Sequence, residues 1–212
     1  MGFEPETYHC PDLLVETDWL EEHIDDPDIR IIDCATFEIY QKAHIPNAVG
    51  LLVNPFIKDS SDTVHVMPPD QFSNLMSKLG VGPSTTVVSY DMAGGVPATR
   101  MWWALNYYGH TNAKVLNGGW DKWFHEGREL SREIPEIVET HFIPKANPSM
   151  LCSLEHAKSR VGDQATIFLD VRSDAEWEGE ESRGNKRAGR IPGAIHLEWT
   201  NFINKGPDRT WK

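Results

Sequence analysis

The stretch Asp91-Met92-Ala93-Gly94-Gly95-Val96 has the makings of a seat for an anion. It lies between a β-rich run ending at Tyr90 and a helix that Pro97 can open in its first turn. Paired glycines let the backbone wrap closely, so that several N–H groups and the helix dipole can meet at one negatively charged atom. An ordinary βα turn with glycines for geometry accounts for the same residues. Thiols are the other source of chemistry, and there are three: Cys10, Cys34 and Cys152. A cysteine is a nucleophile as its thiolate, which needs electropositive surroundings. Cys34 follows Asp33 at the end of an expected strand, but nothing basic lies near it in sequence, so a buried, inert thiol is expected. Cys152 is expected to be structural, and Cys10 to lie in a terminal arm. Neither a disulfide framework nor a zinc site fits three cysteines so spaced. His44, in Ala43-His44-Ile45-Pro46, has no companion at metal-ligand spacing and reads as a turn histidine bonded to backbone. No metal and no cofactor are expected.

These residues are positioned by a pattern that occurs twice. Leu14-Val15 through Ile31-Ile32-Asp33 matches Leu151-Cys152 through Phe168-Leu169-Asp170 without a gap. Each copy opens with a short apolar segment, then a capping residue, Thr17 or Ser153, and a helix over 18–23 or 154–158. A strand ending in aspartate follows, over 29–33 or 166–170. Next comes a turn feeding a second strand, Ile45-Pro46-Asn47-Ala48 or Ile191-Pro192-Gly193-Ala194. The second copy carries extra residues within Glu176 to Arg187, which read as an exposed loop. The first copy continues with a helix over 69–79, a strand over 85–90, the Gly-rich loop, a helix over 97–108, a strand over 113–116 and a helix over 120–126. Strand–helix alternation of this kind predicts an α/β fold: a mostly parallel sheet covered by helices on both faces. Trp102, Trp103, Trp120 and Trp123 read as packing rather than a platform for stacked bases. The chain to Lys212 holds no second-copy counterpart of the 85–126 segment. The second copy is therefore expected to be incomplete, leaving an apolar face and a strand edge open. Either the chain is a fragment of a longer one or another molecule completes that copy.

Composition narrows the partners. Twenty basic against 32 acidic residues give a net charge of -12. Nucleic acid and anionic membrane surfaces would be repelled. Hydrophobic residues at 40% and charged residues at 25% are those of a chain with a core, and no run is long enough to span a membrane. Without a signal segment at the amino terminus, the expected location is cytoplasmic.

Tyr90-Asp91, the Gly-rich loop, Ala98-Thr99-Arg100-Met101-Trp102-Trp103, Tyr108-Gly109-His110 and Val115-Leu116-Asn117-Gly118-Gly119-Trp120 follow one another in an order that resembles the first domain of tandem-domain rhodaneses, the thiosulfate and 3-mercaptopyruvate sulfurtransferases. Asp170-Val171-Arg172-Ser173-Asp174-Ala175-Glu176-Trp177, with Gly189-Arg190-Ile191-Pro192-Gly193-Ala194, resembles the start of that family's second, catalytic domain. The resemblance implies a complete, non-catalytic first domain over 10–127, a linker over 128–148, and the amino-terminal part of a second domain over 149–212.

It also implies a cysteine persulfide cycle. A loop thiolate of the second domain takes a sulfane sulfur from a small donor and passes it to cyanide, a thiol or a protein. In the first copy Asp91 stands where that nucleophile would be, and a carboxylate cannot carry a transferable sulfur. The catalytic cysteine is then expected beyond Lys212, and this chain is expected to be inactive alone. Arg183 and Arg187 fall where mercaptopyruvate-type members bind the substrate carboxylate, although the first such arginine of the family corresponds to Glu176 here; solvated loop charges are the other reading. Asp170 and Arg172 are expected to brace the strand end. A rhodanese-derived binding or regulatory module, its Asp91 cradle holding a protein or small anion without chemistry, is the alternative function.

Overall fold

The structure is a computed structural model that describes residues 11–51, 53–54, 56–61 and 65–212. Cys10, and with it the first residue of the expected first domain, lies outside the described residues. The chain divides into two compact units, the first comprising residues 1–148 with 205–210 and the second 149–204 with 211–212.

In the first unit, β1 (Leu14–Val15), α1 (Thr17–Glu22), β2 (Ile29–Asp33), α2 (Phe37–Tyr40), β3 (Val49–Gly50), α3 (Pro69–Lys78), β4 (Thr86–Tyr90), α4 (Val96–Tyr107), β5 (Ala113–Leu116) and α5 (Gly119–His125) follow in order. Every strand pairing is parallel, in the order β1-β5-β4-β2-β3. Successive side chains of a strand point to opposite faces, and the sheet buries both. Ile32 and Val87 join a core cluster with Phe72 and Met76 of α3 and Met101 and Leu105 of α4. Ile31 and Val88 join another with Leu20 of α1 and Trp123 of α5. This is why the strands read as continuous apolar runs rather than alternating ones. Trp102 and Trp103 are partly buried against the first cluster, and Trp120 against the second.

One expectation needs correction. Thr17 does not cap α1: it is the first residue of the helix, and Glu16 stands at the cap position without a side-chain bond to the helix's own amides. The 128–148 segment, expected as a linker, is an extended connector anchored to the first unit. It carries no helix or strand until its last residue, Pro148, yet it belongs to the first unit and is tied along it. Ser131 and His44 exchange backbone hydrogen bonds of 2.8 and 2.9 Å. Phe142, 4% exposed, sits in the α3/α4 core edge-on to Phe72. Its N–H donates to Ser77 Oγ and its carbonyl accepts from Ser73 Oγ.

The second unit contains α6 (Leu154–Arg160), β6 (Leu169–Asp170), α7 (Asp174–Glu178) and β7 (Ile195–His196). Ser153 caps α6, its Oγ accepting from the His156 N–H. Strand β6 is shorter than the expected 166–170. It pairs in parallel with β7 at Leu169↔Ile195 and Asp170↔His196, as β2 pairs with β3 at Ile32↔Val49 and Asp33↔Gly50. Burial separates the two. Ile32 and Val49 are 0% and 1% exposed, whereas Leu169 and Ile195 are each 54% exposed. On the other side of β2 lies β4; no described strand takes that place beside β6. The stretch from Glu176 is not all exposed loop either, because α7 runs to Glu178 and Glu176 is 9% exposed. A capping box joins Glu176 to Ser173.

Candidate functional site

The carboxyl ends of β2, β4 and β5 form a rim at which the loop after β4 is the central feature. Gly94 and Gly95 both take positive φ, 75° and 91°, and Gly95 caps α4 in the left-handed conformation. The backbone N–H groups of Ala93, Gly95 and Ala98 converge, as the sequence suggested they could. What they converge on is Asp91 itself: Oδ1 accepts from Ala93 and Gly95 at 2.6 and 2.9 Å, and Oδ2 from Ala98 at 2.8 Å. The seat is filled by its own carboxylate. Burial raises the Asp91 pKa, and the three amide donors offset part of that rise. Neither Met92 nor Val96 donates to this seat. Behind the loop, the Trp120 N–H donates to the Asp91 carbonyl at 2.9 Å. Gly119 permits the approach, since a Cβ there would lie 2.5 Å from that oxygen.

A buried network that the sequence did not announce braces the rim from below. Tyr90 Oη donates to Asp33 Oδ2 at 2.7 Å and accepts from the Ile45 N–H at 3.1 Å. Asp33 Oδ1 accepts from the Ala35 N–H at 2.8 Å. One phenol thus joins the ends of β2 and β4 to the Ile-Pro turn. Burial raises the Asp33 pKa, and the Tyr90 hydroxyl and the Ala35 amide act against that.

Cys34 lies in this layer and is fully buried. Burial, then the carboxylates of Asp91 and Asp33, push its thiol well above its ordinary value. Those surroundings are the reverse of what activates a cysteine. Cys152 is exposed and unpaired, so it does not pack as expected. His44 is buried with Nδ1 at 2.8 Å from the Tyr40 carbonyl and Nε2 at 3.0 Å from the Glu133 carbonyl, and its ring stacks on Tyr40. Both ring nitrogens therefore face backbone. No group of His, Cys, Asp and Glu among the described residues could hold a metal ion.

The arginines of the second unit stand apart from this rim in sequence, and their settings differ. Arg183 Nε meets Glu176 Oε2 at 3.1 Å and Glu181 Oε1 at 3.5 Å. Arg187 lines a cleft of about 720 Å3 with Arg172, Arg190 and Leu169, and makes no ion pair among the described residues. Arg172 clamps Asp170 at 2.9 and 2.6 Å, a local brace that lowers the Asp170 pKa. No helix among the described residues is long and apolar enough to cross a membrane.

Comparison with known proteins places this geometry. A family model for the rhodanese-like domain matches residues 16–126. The sulfur carrier protein TtuD of Thermus thermophilus is 33% identical over 97% of this chain and 75% of its own length. The 3-mercaptopyruvate sulfurtransferase of Escherichia coli K12 is 30% identical over 92% of this chain and 74% of its own. The crystal structure of SseA from Escherichia coli, a 3-mercaptopyruvate sulfotransferase of the "Rhodanese" fold, superposes with a TM-score of 0.82 at 28% identity, covering 94% of this chain and 79% of that one.

Proposed function

The chain belongs to the rhodanese family, and from that premise we propose that it is the frame of a tandem sulfurtransferase rather than its sulfur-carrying part. Residues 10–127 are a complete, non-catalytic rhodanese-like domain, 128–148 its linker, and residues 149–212 begin a second domain. The reaction of the whole protein is transfer of a sulfane sulfur from thiosulfate or 3-mercaptopyruvate, through a cysteine persulfide, to cyanide or a thiol. The persulfide cysteine is neither Cys34 nor Cys152, and the working compartment is the cytoplasm.

One observation carries this reading: the three amides that would cradle a persulfide are bonded to the Asp91 carboxylate. A second copy of the pattern is supported by the matching register of β6–β7 and β2–β3. Neither described thiol substitutes for the nucleophile. Cys34 is buried in the apolar core, where Asp91 and Asp33 further disfavour its thiolate, and no described hydrogen bond brings amide donors to the Cys152 sulfur. The filled seat also argues against a module that binds an external anion at this loop, because its donors are already used. Arg187 is the better placed of the two arginines for a donor's charge. Arg183 would first have to leave Glu176.

A cyanide-to-thiocyanate assay with thiosulfate or 3-mercaptopyruvate tests the proposal. The chain is expected to produce no thiocyanate above the uncatalysed rate. Turnover that disappears in Cys34→Ser would overturn the assignment.

A further inference from the structure

We propose that a cleft beside α3, none of whose lining residues belongs to the Asp91 loop, binds a small amphipathic anion: an organic carboxylate or sulfonate on an apolar body of roughly ten carbons. The cleft opens between α2, β3, residues 53–54 and 58–60, α3 and the 134–137 stretch, and has a volume of about 910 Å3. That falls within the ~300–1,000 Å3 usual for small-molecule sites.

Its chemistry is divided. Tyr40, Met67 and Leu79 are buried side chains that form the floor, and Val53, Leu75 and Ile137 are partly buried against the α3/α4 core cluster. An apolar body seated there would extend that core and remove these walls from water. Lys58 and Lys78 also line the cleft. Lys58 is half-buried, its Nζ 5.8 Å from the centre of the Phe56 ring, and neither lysine forms an ion pair among the described residues. The one carboxylate among the described lining residues, Asp59, is turned to its own loop: Oδ1 accepts from the Ser61 N–H and hydroxyl, both at 2.8 Å.

Charge selects the occupant. In a chain of net charge -12, the described residues lining this concave apolar surface include two lysines and one aspartate. A second cleft of the same unit, about 950 Å3, is lined by Glu21, Asp25, Glu129, Glu133 and Glu136 against Arg132, and would repel the same ligand. A bare inorganic anion would leave the apolar walls wet. A neutral apolar molecule would desolvate Lys58 without pairing it. An amphipathic anion satisfies both halves.

The experiment is a titration of the whole ¹⁵N-labelled chain with sodium decanoate, with decanol, and with decanoate against the Lys58→Met/Lys78→Met double variant. Decanoate is expected to give saturable shifts at the amides of Gly50, Lys58, Leu75 and Lys78. Decanol should bind about tenfold more weakly, and the double variant should lose that preference. Equal binding of decanol, shifts centred on the exposed apolar residues of the second unit, or no saturable shift would each overturn the proposal. If the double variant does not fold, the decanoate-to-decanol ratio on the unaltered chain decides.

Discussion

Replacing Tyr90 by Phe removes one oxygen and tests how the rim is held. In the folded chain that hydroxyl donates to the buried Asp33 carboxylate and accepts from the Ile45 amide. Phe fills nearly the same space, so packing changes little, and two buried groups lose their partner together. A hydrogen bond to a charged group is worth about 1.5–3 kcal/mol, and an orphaned amide costs about 1 kcal/mol more, so the expected loss is about 3 kcal/mol at pH 7. For a unit of this size the urea midpoint should fall by roughly 1.5 M. The loss should also depend on pH. Burial raises the Asp33 pKa above its ordinary 3.8, and the Tyr90 hydroxyl holds it back, so Tyr90→Phe lets it rise further. A carboxyl raised on folding contributes stability that is fully present below its unfolded value and lost as pH rises through its folded value. The penalty of Tyr90→Phe should accordingly be smaller at pH 4 and grow toward pH 7. Urea unfolding followed by circular dichroism at the two pH values measures both quantities. A loss below about 0.5 kcal/mol, or one independent of pH, would refute the reasoning.

Asp91→Cys would place a thiol before the amides of Ala93, Gly95 and Ala98. Burial outweighs the same three amides at Asp91, so the thiol pKa is expected to lie above the usual ~8.5, read from the pH dependence of iodoacetamide alkylation; a lowered value would mean that the amides outweigh burial. Phe142→Ala should cost about 3–5 kcal/mol in chemical unfolding and open the 128–148 segment to limited proteolysis, because the ring is core rather than linker. A loss under 1 kcal/mol would contradict that placement.

The sheet was legible because a strand buried on both faces writes itself as an apolar run. Ile29–Asp33 and Ala113–Leu116 lie where the pattern put them. The converging amides of the Asp91 loop were legible too, because Gly-Gly before a helix with Pro97 near its start has few other uses. That the seat would be filled from within was not, since a side chain's rotamer leaves no mark on spacing. The Tyr90–Asp33 bond joins residues 57 apart and has no periodicity to betray it. How the 128–148 segment is anchored was not legible for a related reason. Its prolines speak of extended backbone, whereas its attachment depends on single anchors, Ser131 and Phe142, that only the fold brings to α3 and His44. Thr17 likewise has the right type for a cap but stands one residue too late.

Incubation of the purified chain with thiosulfate, followed by intact-mass and peptide mass spectrometry, addresses the central claim most directly. The account predicts a chain of unchanged mass, because the amide seat holds an oxygen acid and the Cys34 thiol is buried and held in its neutral form. A stable gain of one sulfur atom mapped to Cys34 or Cys152 would contradict it.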